Sequence, residues 1–239
     1  MQEKYLRLQE KDQKDLRNLE EFKNRLYYIF FMRNIATLGG MGSGKTELAK
    51  AIQKLDPTIH VLHMSMYGAR IPMTLAATTH PDLLKLTKQE YIHAILSNQH
   101  VPLLSLEGQR QKMDEFERQV LNAYGQDIFA NIAFGALVTG VQNLADNVII
   151  VPNVKYFKDR GFYIVGCTCD FSTRVDRCYH RKKDIDPKDR PGIALQITKT
   201  DNYFESDRTI KLADMVSDTT HLGKEDYPLI AQEVLRITR

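Results

Sequence analysis

The sequence predicts an α/β fold in which a parallel β-sheet is covered by helices on both faces. Five short apolar runs have the length of buried strands, helix-forming segments separate them, and a glycine-rich loop joins the first run to the first helix. With 239 residues, 43% of them hydrophobic, the chain is long enough to bury the core that this fold needs.

The predicted strands are runs rich in β-branched and other apolar residues. They cover residues 35–38, 59–64, 147–151, 161–167 and 211–216. The last of these runs carries Asp214. Ligands of parallel sheets bind beyond the carboxyl ends of the strands, so we expect the functional residues to lie at that edge.

The predicted helices follow from propensity and from apolar residues at helical spacing. They cover residues 47–55, 111–134 with a break near Tyr124 and Gly125, a further stretch to Asn143, 172–181, 192–203 and 226–237. Between the second strand and the long helix, residues 66–111 contain three prolines that separate short helical pieces such as residues 88–96. This composition predicts an inserted helical subdomain.

The first 33 residues are predicted to form a helical extension in front of the main domain, residues 34–239. Leu19, Phe22, Leu26 and Ile29 recur at helical spacing, whereas the segment before them is polar all round. The apolar face would pack either on the main domain or on a second subunit. A homodimer through this helix is therefore one of two interpretations.

The glycine-rich loop has the pattern G-x-x-x-x-G-K-[ST], in the run Gly39-Gly40-Met41-Gly42-Ser43-Gly44-Lys45-Thr46. In such a loop the backbone N–H groups surround phosphate oxygens, and the following helix directs its positive end at them. Lys45 would reach the outer phosphates and the Thr46 hydroxyl would bind Mg²⁺. The motif therefore predicts ATP and Mg²⁺ as ligands.

Three arginines are predicted on one face of the helix over residues 172–181. Arg174, Arg177 and Arg181 are spaced by three and four residues, which places them on one side of a helix. Guanidinium groups neutralise charge on a transferring phosphoryl group, so this helix and the loop to residue 191 are predicted to form a lid. The alternative is a solvated basic face, or arginines paired with Asp170, Asp176 and Asp184.

Three further residues are candidates for the site on position alone. Asp170 follows the fourth predicted strand and would act in catalysis or cap the next helix. Arg70 and Lys155 would contact the phosphate of a substrate or lie exposed at the surface.

Charge and cysteine content limit the function classes. A net charge of +3 indicates neither a nucleic-acid partner nor a membrane surface. Cys167, Cys169 and Cys178 fit neither a disulfide framework nor a four-ligand zinc site, which favours reduced thiols in the cytoplasm. His60 and His63 have no evident partner in the sequence.

Four segments of residues 34–239 carry a resemblance to a known family. They are the glycine loop followed by Glu47-Leu48-Ala49, the run Tyr124-Gly125-Gln126-Asp127-Ile128, the run Ser172-Thr173-Arg174 before Arg177, and residues 212–218. The chain resembles dephospho-CoA kinases and the related archaeal and phage nucleoside and deoxynucleoside monophosphate kinases. The resemblance implies a P-loop NTPase fold of the nucleoside-monophosphate-kinase type. It also implies that residues 66–111 cover the acceptor and that residues 172–191 close as a lid.

The chain departs from this family at two strand ends. Relatives carry an acidic residue after the second strand, where this chain has Ser65-Met66-Tyr67, and an Asp-Gly-x-Arg type segment after the third, where it has Pro152-Asn153-Val154-Lys155. Both carboxylates are therefore expected to be missing. An ATPase motor on nucleic acid is also disfavoured, because the predicted strand 147–151 ends at Pro152 and not at a carboxylate.

Two functions remain. The first is ATP-dependent phosphoryl transfer to a nucleotide-type acceptor such as a nucleoside or deoxynucleoside monophosphate, or a dephospho-CoA-like compound. The second is a nucleotide-binding regulatory or assembly protein that keeps the glycine loop but has lost phosphoryl transfer.

Overall fold

The computed structural model of the protein describes residues 32–105, 110–181 and 189–239. Within them, five strands form one sheet in which every neighbouring pair is parallel, in the order β2-β3-β1-β4-β5. The strands are β1 Ile35–Leu38, β2 His60–His63, β3 Asn143–Asp146, β4 Tyr163–Thr168 and β5 Met215–Asp218. The predicted fold class is confirmed. Most of the predicted N-terminal helix, with its dimer contact, and the loop 182–188 of the predicted lid lie outside the described residues.

Ten α-helices lie in the described ranges. They are α1 Lys45–Leu55, α2 Ile71–Thr78, α3 Lys88–Ser97, α4 Arg110–Tyr124, α5 Ile128–Gly135, α6 Val151–Lys158, α7 Phe171–His180, α8 Arg190–Phe204, α9 Ser206–Ile210 and α10 Tyr227–Thr238. A π-helical turn, Met66–Arg70, leads into α2. The predicted break after Tyr124 is present, with Gly125 at φ 95°. The predicted continuation of helix to Asn143 is wrong, because α5 ends at Gly135.

Successive residues of the central strand pack on opposite faces of the sheet. Ile35 packs in the core formed with α1 and α10, whereas Ala36 packs in the larger core formed with α2 to α6. Both side chains are fully buried. Helices therefore cover both faces, as a parallel sheet requires. In the described part of the chain, no helix has the length and apolar character needed to cross a membrane.

The position of β3 corrects the sequence prediction. The strand is Asn143–Asp146, and the predicted strand 147–151 is a loop followed by the start of α6. Val148 and Ile150 of this loop are buried, so the apolar run reflects burial but not strand structure. Periodicity alone cannot separate these cases in a short apolar run. Ile150 has φ 61°, a rare conformation for a β-branched residue.

The position of β5 is a second correction. The strand begins at Met215, so Asp214 lies just before its amino end and not within it. The carboxylate of Asp214 accepts a hydrogen bond from the Ile164 N–H at 2.8 Å and pairs with Lys158 at 3.0 Å. Asp214 therefore joins two strands at the edge of the sheet opposite the glycine loop.

Candidate active site

The glycine loop connects the carboxyl end of β1 to α1 and has a conformation that requires glycine. Gly39, Gly42 and Gly44 have φ values of 146°, 82° and 89°. A Cβ atom at Gly44 would also collide with the hydroxyl of Tyr227, which packs against the loop from α10. Glycine is needed here because it alone adopts this backbone without strain and leaves room for the tyrosine.

Lys45, the first residue of α1, is held against the loop. Its ammonium donates a hydrogen bond to the Gly40 carbonyl at 3.2 Å. Burial lowers the pKa of Lys45, the nearby charges of Arg181 and Arg174 act in the same direction, and the charge of Asp146 opposes them. The lysine is thus a desolvated cation beside the backbone groups that would surround phosphates.

Asp146 is a carboxylate that the sequence prediction missed. It ends β3, is 3% exposed, and accepts a hydrogen bond from the Thr37 hydroxyl at 2.9 Å. His63 Nδ1 lies 3.2 Å from its second oxygen, and this hydrogen bond raises the pKa of His63. The expectation that the third strand lacks a terminal carboxylate is wrong, and so is the view that His63 has no partner. Because β3 does end in a carboxylate, the sequence argument against an ATPase motor no longer applies.

Parallel pairing explains why these three residues meet. His63 is directly opposite Asp146 across β2 and β3, and the register of β1 with β3 brings Thr37 to the same level. Side chains near the carboxyl ends of three neighbouring strands therefore form one hydrogen-bonded row. The signal in the sequence was the aspartate in Asn143-Leu144-Ala145-Asp146, which the longer apolar run behind it obscured.

A cavity of about 430 Å³ opens beside the glycine loop. Its described wall combines the loop with residues from the inserted segment, the β3–α6 connection and the helices after β4. These residues are Gly39, Gly40, Met41, Gly42, Lys45, Met64, Ser65, Gly68, Glu117, Phe129, Asn147, Ile149, Asn153, Arg181, Gln196, Thr200 and Ser206. The volume is that of a small-molecule site.

Arg174 of α7 joins the glycine loop to α8. Its Nε donates to the Met41 carbonyl at 2.6 Å, and its two terminal nitrogens donate to the carboxylate of Asp201 at 2.7 and 2.8 Å. The side chain is 11% exposed. A bidentate pair of this kind holds the guanidinium in one orientation.

Arg177 lies behind the loop and is bound by carbonyl oxygens. Its Nη2 donates to the carbonyls of Thr219 at 2.5 Å and Leu222 at 3.1 Å, and its Nη1 donates to the Thr219 hydroxyl at 3.0 Å. That hydroxyl in turn donates to the Ser43 carbonyl at 2.7 Å. Arg177 therefore supports the glycine loop through Thr219.

Arg181 differs from the other two arginines of the predicted face. It follows the last residue of α7, is exposed, and lines the cavity. Its charge acts on Lys45. Asp176, one of the aspartates considered as a partner for this face, pairs with Arg190 of α8 instead.

The remaining sequence candidates lie apart from the described cavity wall. Asp170 is the N-cap residue of α7, but its side chain makes no capping hydrogen bond; its N–H donates to the Thr220 hydroxyl at 3.0 Å. Arg70 contacts the sulfur of Met66 at 3.8 Å, and Lys155 is exposed on α6.

The donor atoms at this edge fit Mg²⁺ better than a soft metal. Magnesium prefers oxygen ligands and retains several waters. The hydroxyl of Thr46, at the start of α1, and the carboxylate of Asp146, at the end of β3, are oxygen donors. The described residues contain no group of three or more His, Cys, Asp or Glu side chains that could hold a metal ion, and Cys167, Cys169 and Cys178 form no disulfide bond.

No protein-family model matches the sequence, and no curated protein matches it. Solved structures with a similar chain trace include three small-molecule kinases. A shikimate kinase from Acinetobacter baumannii is 12% identical, with 89% of this chain and 96% of that chain covered at a TM-score of 0.43. A gluconokinase from Sinorhizobium meliloti is 13% identical, with 87% and 94% covered at a TM-score of 0.46. A shikimate kinase from Bacteroides thetaiotaomicron is 14% identical, with 86% and 99% covered at a TM-score of 0.48.

The fold itself follows from this chain's own strand order and from the glycine loop between β1 and α1. On that evidence the chain has the α/β P-loop fold.

Proposed function

We propose that the protein is an ATP-dependent phosphotransferase that moves the γ-phosphoryl group to a small nucleotide-type acceptor, a nucleoside or deoxynucleoside monophosphate or a dephospho-CoA-like compound. One observation carries the proposal. Lys45 of the glycine loop lines the same cavity as Met64 and Ser65, which follow β2, and Gly68 of the inserted segment. Donor and acceptor would therefore meet in one cavity, as direct transfer requires.

The residues of the donor side fit ATP. The backbone N–H groups of residues 39–46 would surround its phosphates, and Lys45 would bind their outer oxygens. Thr46 and Asp146 would hold Mg²⁺, directly or through water. When bound, this ion neutralises charge on the transferred group and orients it.

Arg181, which follows α7, is the arginine of the predicted face best placed to act on the transferred group. It lines the cavity, and it belongs to the segment that would close over the nucleotide. A positioned arginine stabilises charge that develops in the transition state. Arg174 and Arg177 would act indirectly, by holding the glycine loop in its binding conformation.

One observation favours the second function, a nucleotide-binding regulatory or assembly protein. The guanidinium groups of Arg174 and Arg177 are bound by protein oxygens, which leaves Arg181 as the arginine of this face that meets the cavity. A protein that only binds nucleotide needs a rigid loop and has no need of several arginines at the transferred phosphate.

An assay of ADP release separates the two functions. ATP and Mg²⁺ are supplied with ribo- and deoxyribonucleoside monophosphates and with dephospho-CoA, for the parent chain, Asp146→Asn and the control Asp159→Asn, an exposed residue just after α6. We expect acceptor-dependent ADP release that falls at least about a hundredfold in Asp146→Asn, with ATP still bound, because the carboxylate acts on the metal. Silence across the panel with tight ATP binding would establish the regulatory function instead.

A further inference from the structure

The hydrogen-bonded pair of His63 and Asp146 joins a half-exposed side chain to a buried one. The side chain of His63 is 52% exposed, whereas that of Asp146 is 4% exposed. The two residues are already register partners in the parallel ladder of β2 with β3. The backbone ladder joins these strands, so strand pairing does not by itself account for the histidine.

The directions of the surrounding hydrogen bonds show that Asp146 is an acceptor on both oxygens. The Asn147 N–H donates to the Thr37 hydroxyl oxygen at 3.2 Å, and the Thr37 hydroxyl donates its own proton to Asp146 Oδ1 at 2.9 Å. On the other side, His63 Nδ1 lies 3.2 Å from Oδ2. The hydrogen bond to Asp146 raises the pKa of His63, burial opposes it, and the negative charge of Asp146 raises it further. An ionised carboxylate only accepts, so Nδ1 carries the proton and donates it.

These two hydrogen bonds fix the plane of the carboxylate. A bond to Oδ1 alone would leave the group free to turn about its Cβ–Cγ bond, whereas a second bond to Oδ2 holds both oxygens in place. Each oxygen of an ionised carboxylate has about two acceptor sites. Asp146 is therefore oriented by its partners and keeps one site on each oxygen for a metal ion or for a water bound to it.

The charge of Asp146 connects this pair to the nucleotide site. Burial lowers the pKa of Lys45, and the charge of Asp146 opposes that shift. The carboxylate thus lies within electrostatic reach of the lysine that would bind the outer phosphates. Partners that hydrogen-bond a metal-binding carboxylate set its orientation, and losing one typically lowers metal affinity by about 10–100-fold.

We propose that His63 is a positioning residue whose Nδ1–H holds Asp146 in the orientation that binds the Mg²⁺ of the nucleotide complex. The inference rests on the proposed function, which assigns Asp146 to the metal and gives His63 no role. His63 acts through Asp146 and touches neither phosphate nor acceptor. Its removal should therefore weaken the binding of the metal complex and leave the binding of the free nucleotide unchanged.

Calorimetry of the full chain tests this separation. ADP, which has no γ-phosphoryl group to transfer, is titrated with Mg²⁺ and again with EDTA into the parent chain, His63→Ala and the control His60→Ala, at the other end of β2. The ratio of the two affinities measures the preference for the metal complex. We expect His63→Ala to lower this ratio by about tenfold or more, with the affinity in EDTA unchanged. His60→Ala should keep the ratio of the parent, and a parental ratio in His63→Ala would overturn the proposal.

Two further variants separate a positioning role from a structural one and keep the test decisive if His63→Ala does not fold. His63→Phe keeps the size of the ring but has no donor. His63→Asn carries an amide nitrogen at the same number of bonds from Cα as Nδ1, so it can still donate to Asp146. We expect a lowered ratio in His63→Phe and a ratio close to that of the parent in His63→Asn. Equal ratios in these two variants would overturn the proposal.

The same titration of Asp146→Asn distinguishes this inference from the proposed function. A lowered ratio in Asp146→Asn with a parental ratio in His63→Ala would reject the role of His63 and leave the metal site of the phosphotransferase intact. A lowered ratio in both variants, without ADP release from ATP for any acceptor, would support the positioning role and reject phosphoryl transfer. A parental ratio in both variants would overturn the positioning role and remove Asp146 from the metal site.

Discussion

The glycine loop and the arginine face of α7 border the same cavity, yet their sequences are informative to different degrees. The loop is a continuous run of eight residues whose backbone would bind the phosphates, so its pattern predicts its role. Arg174 and Arg177 lie on α7 and Arg181 directly follows it, but Arg174 pairs with Asp201, Arg177 binds carbonyl oxygens and Arg181 meets the cavity. Equal spacing on a helix therefore does not imply equal function.

Distance along the chain explains the difference. The loop glycines act through φ values and neighbours within their own segment. Arg174 reaches Met41, which is 133 residues away, and Asp201, which is 27 residues away. A long flexible side chain takes its role from whichever partners the tertiary structure brings near, and these are not encoded in its spacing.

The largest expected effect is at the loop itself. Lys45→Ala should weaken ATP binding by more than about tenfold and lower turnover about a hundredfold or more, because it removes a charge that contacts the outer phosphates. ATP affinity is measured by calorimetry and turnover by ADP release. Lys50→Ala, an exposed lysine of the same helix, is the control and should match the parent. Equal ATP affinity in Lys45→Ala and the parent would refute the phosphate-binding role of the loop.

On the arginine face, Arg181→Ala should have the next largest effect. We expect turnover to fall by about tenfold to a hundredfold at unchanged thermal stability, because Arg181 acts on charge in the cavity and makes no core contact. Arg208→Ala, an exposed arginine on α9, serves as the control. If Arg181→Ala kept full turnover while Arg174→Ala lost it, the catalytic member of the face would be Arg174.

The main effect of Arg177→Ala should be a lower thermal stability. The loss of its hydrogen bonds to Thr219 and Leu222 should lower Tm by about 5 °C, since charged hydrogen bonds contribute about 1.5–3 kcal/mol and a chain of this size shifts by about 2–4 °C per kcal/mol. Thermal unfolding is followed by calorimetry or circular dichroism. An unchanged Tm with abolished turnover would instead assign Arg177 a direct catalytic role.

The smallest expected effect is a difference in the rates at which Cys167 and Cys169 react with a thiol reagent. Burial raises the pKa of Cys167 to about 12, so its thiol should stay protonated and resist maleimide at pH 8. Cys169 is half-buried, accepts a hydrogen bond from Arg177 at 3.3 Å, and should react faster. Peptide mapping by mass spectrometry gives both rates. Equal rates at the two cysteines in the parent would show that the loop support opens readily.

The strand ends show the same limit of sequence analysis. The first strand and its loop were predictable because an apolar run, three glycines with positive φ and a helix follow one another without interruption. The third strand was not predictable, because β3 contains Asn143 and Asp146 whereas the more apolar run behind it enters a loop and α6. Asp146 was therefore missed, although its charge acts on Lys45 of the loop.

By itself the sequence determined the fold class and the glycine loop, because each depends on residues close together in the chain. Only the tertiary structure decided that Asp146 ends β3 beside Thr37 and His63, and that Arg181 alone of the three arginines lines the cavity. It also decided that Glu117 faces the cavity. Each of these facts depends on strand register and helix packing between distant segments, and local propensity carries no information about either.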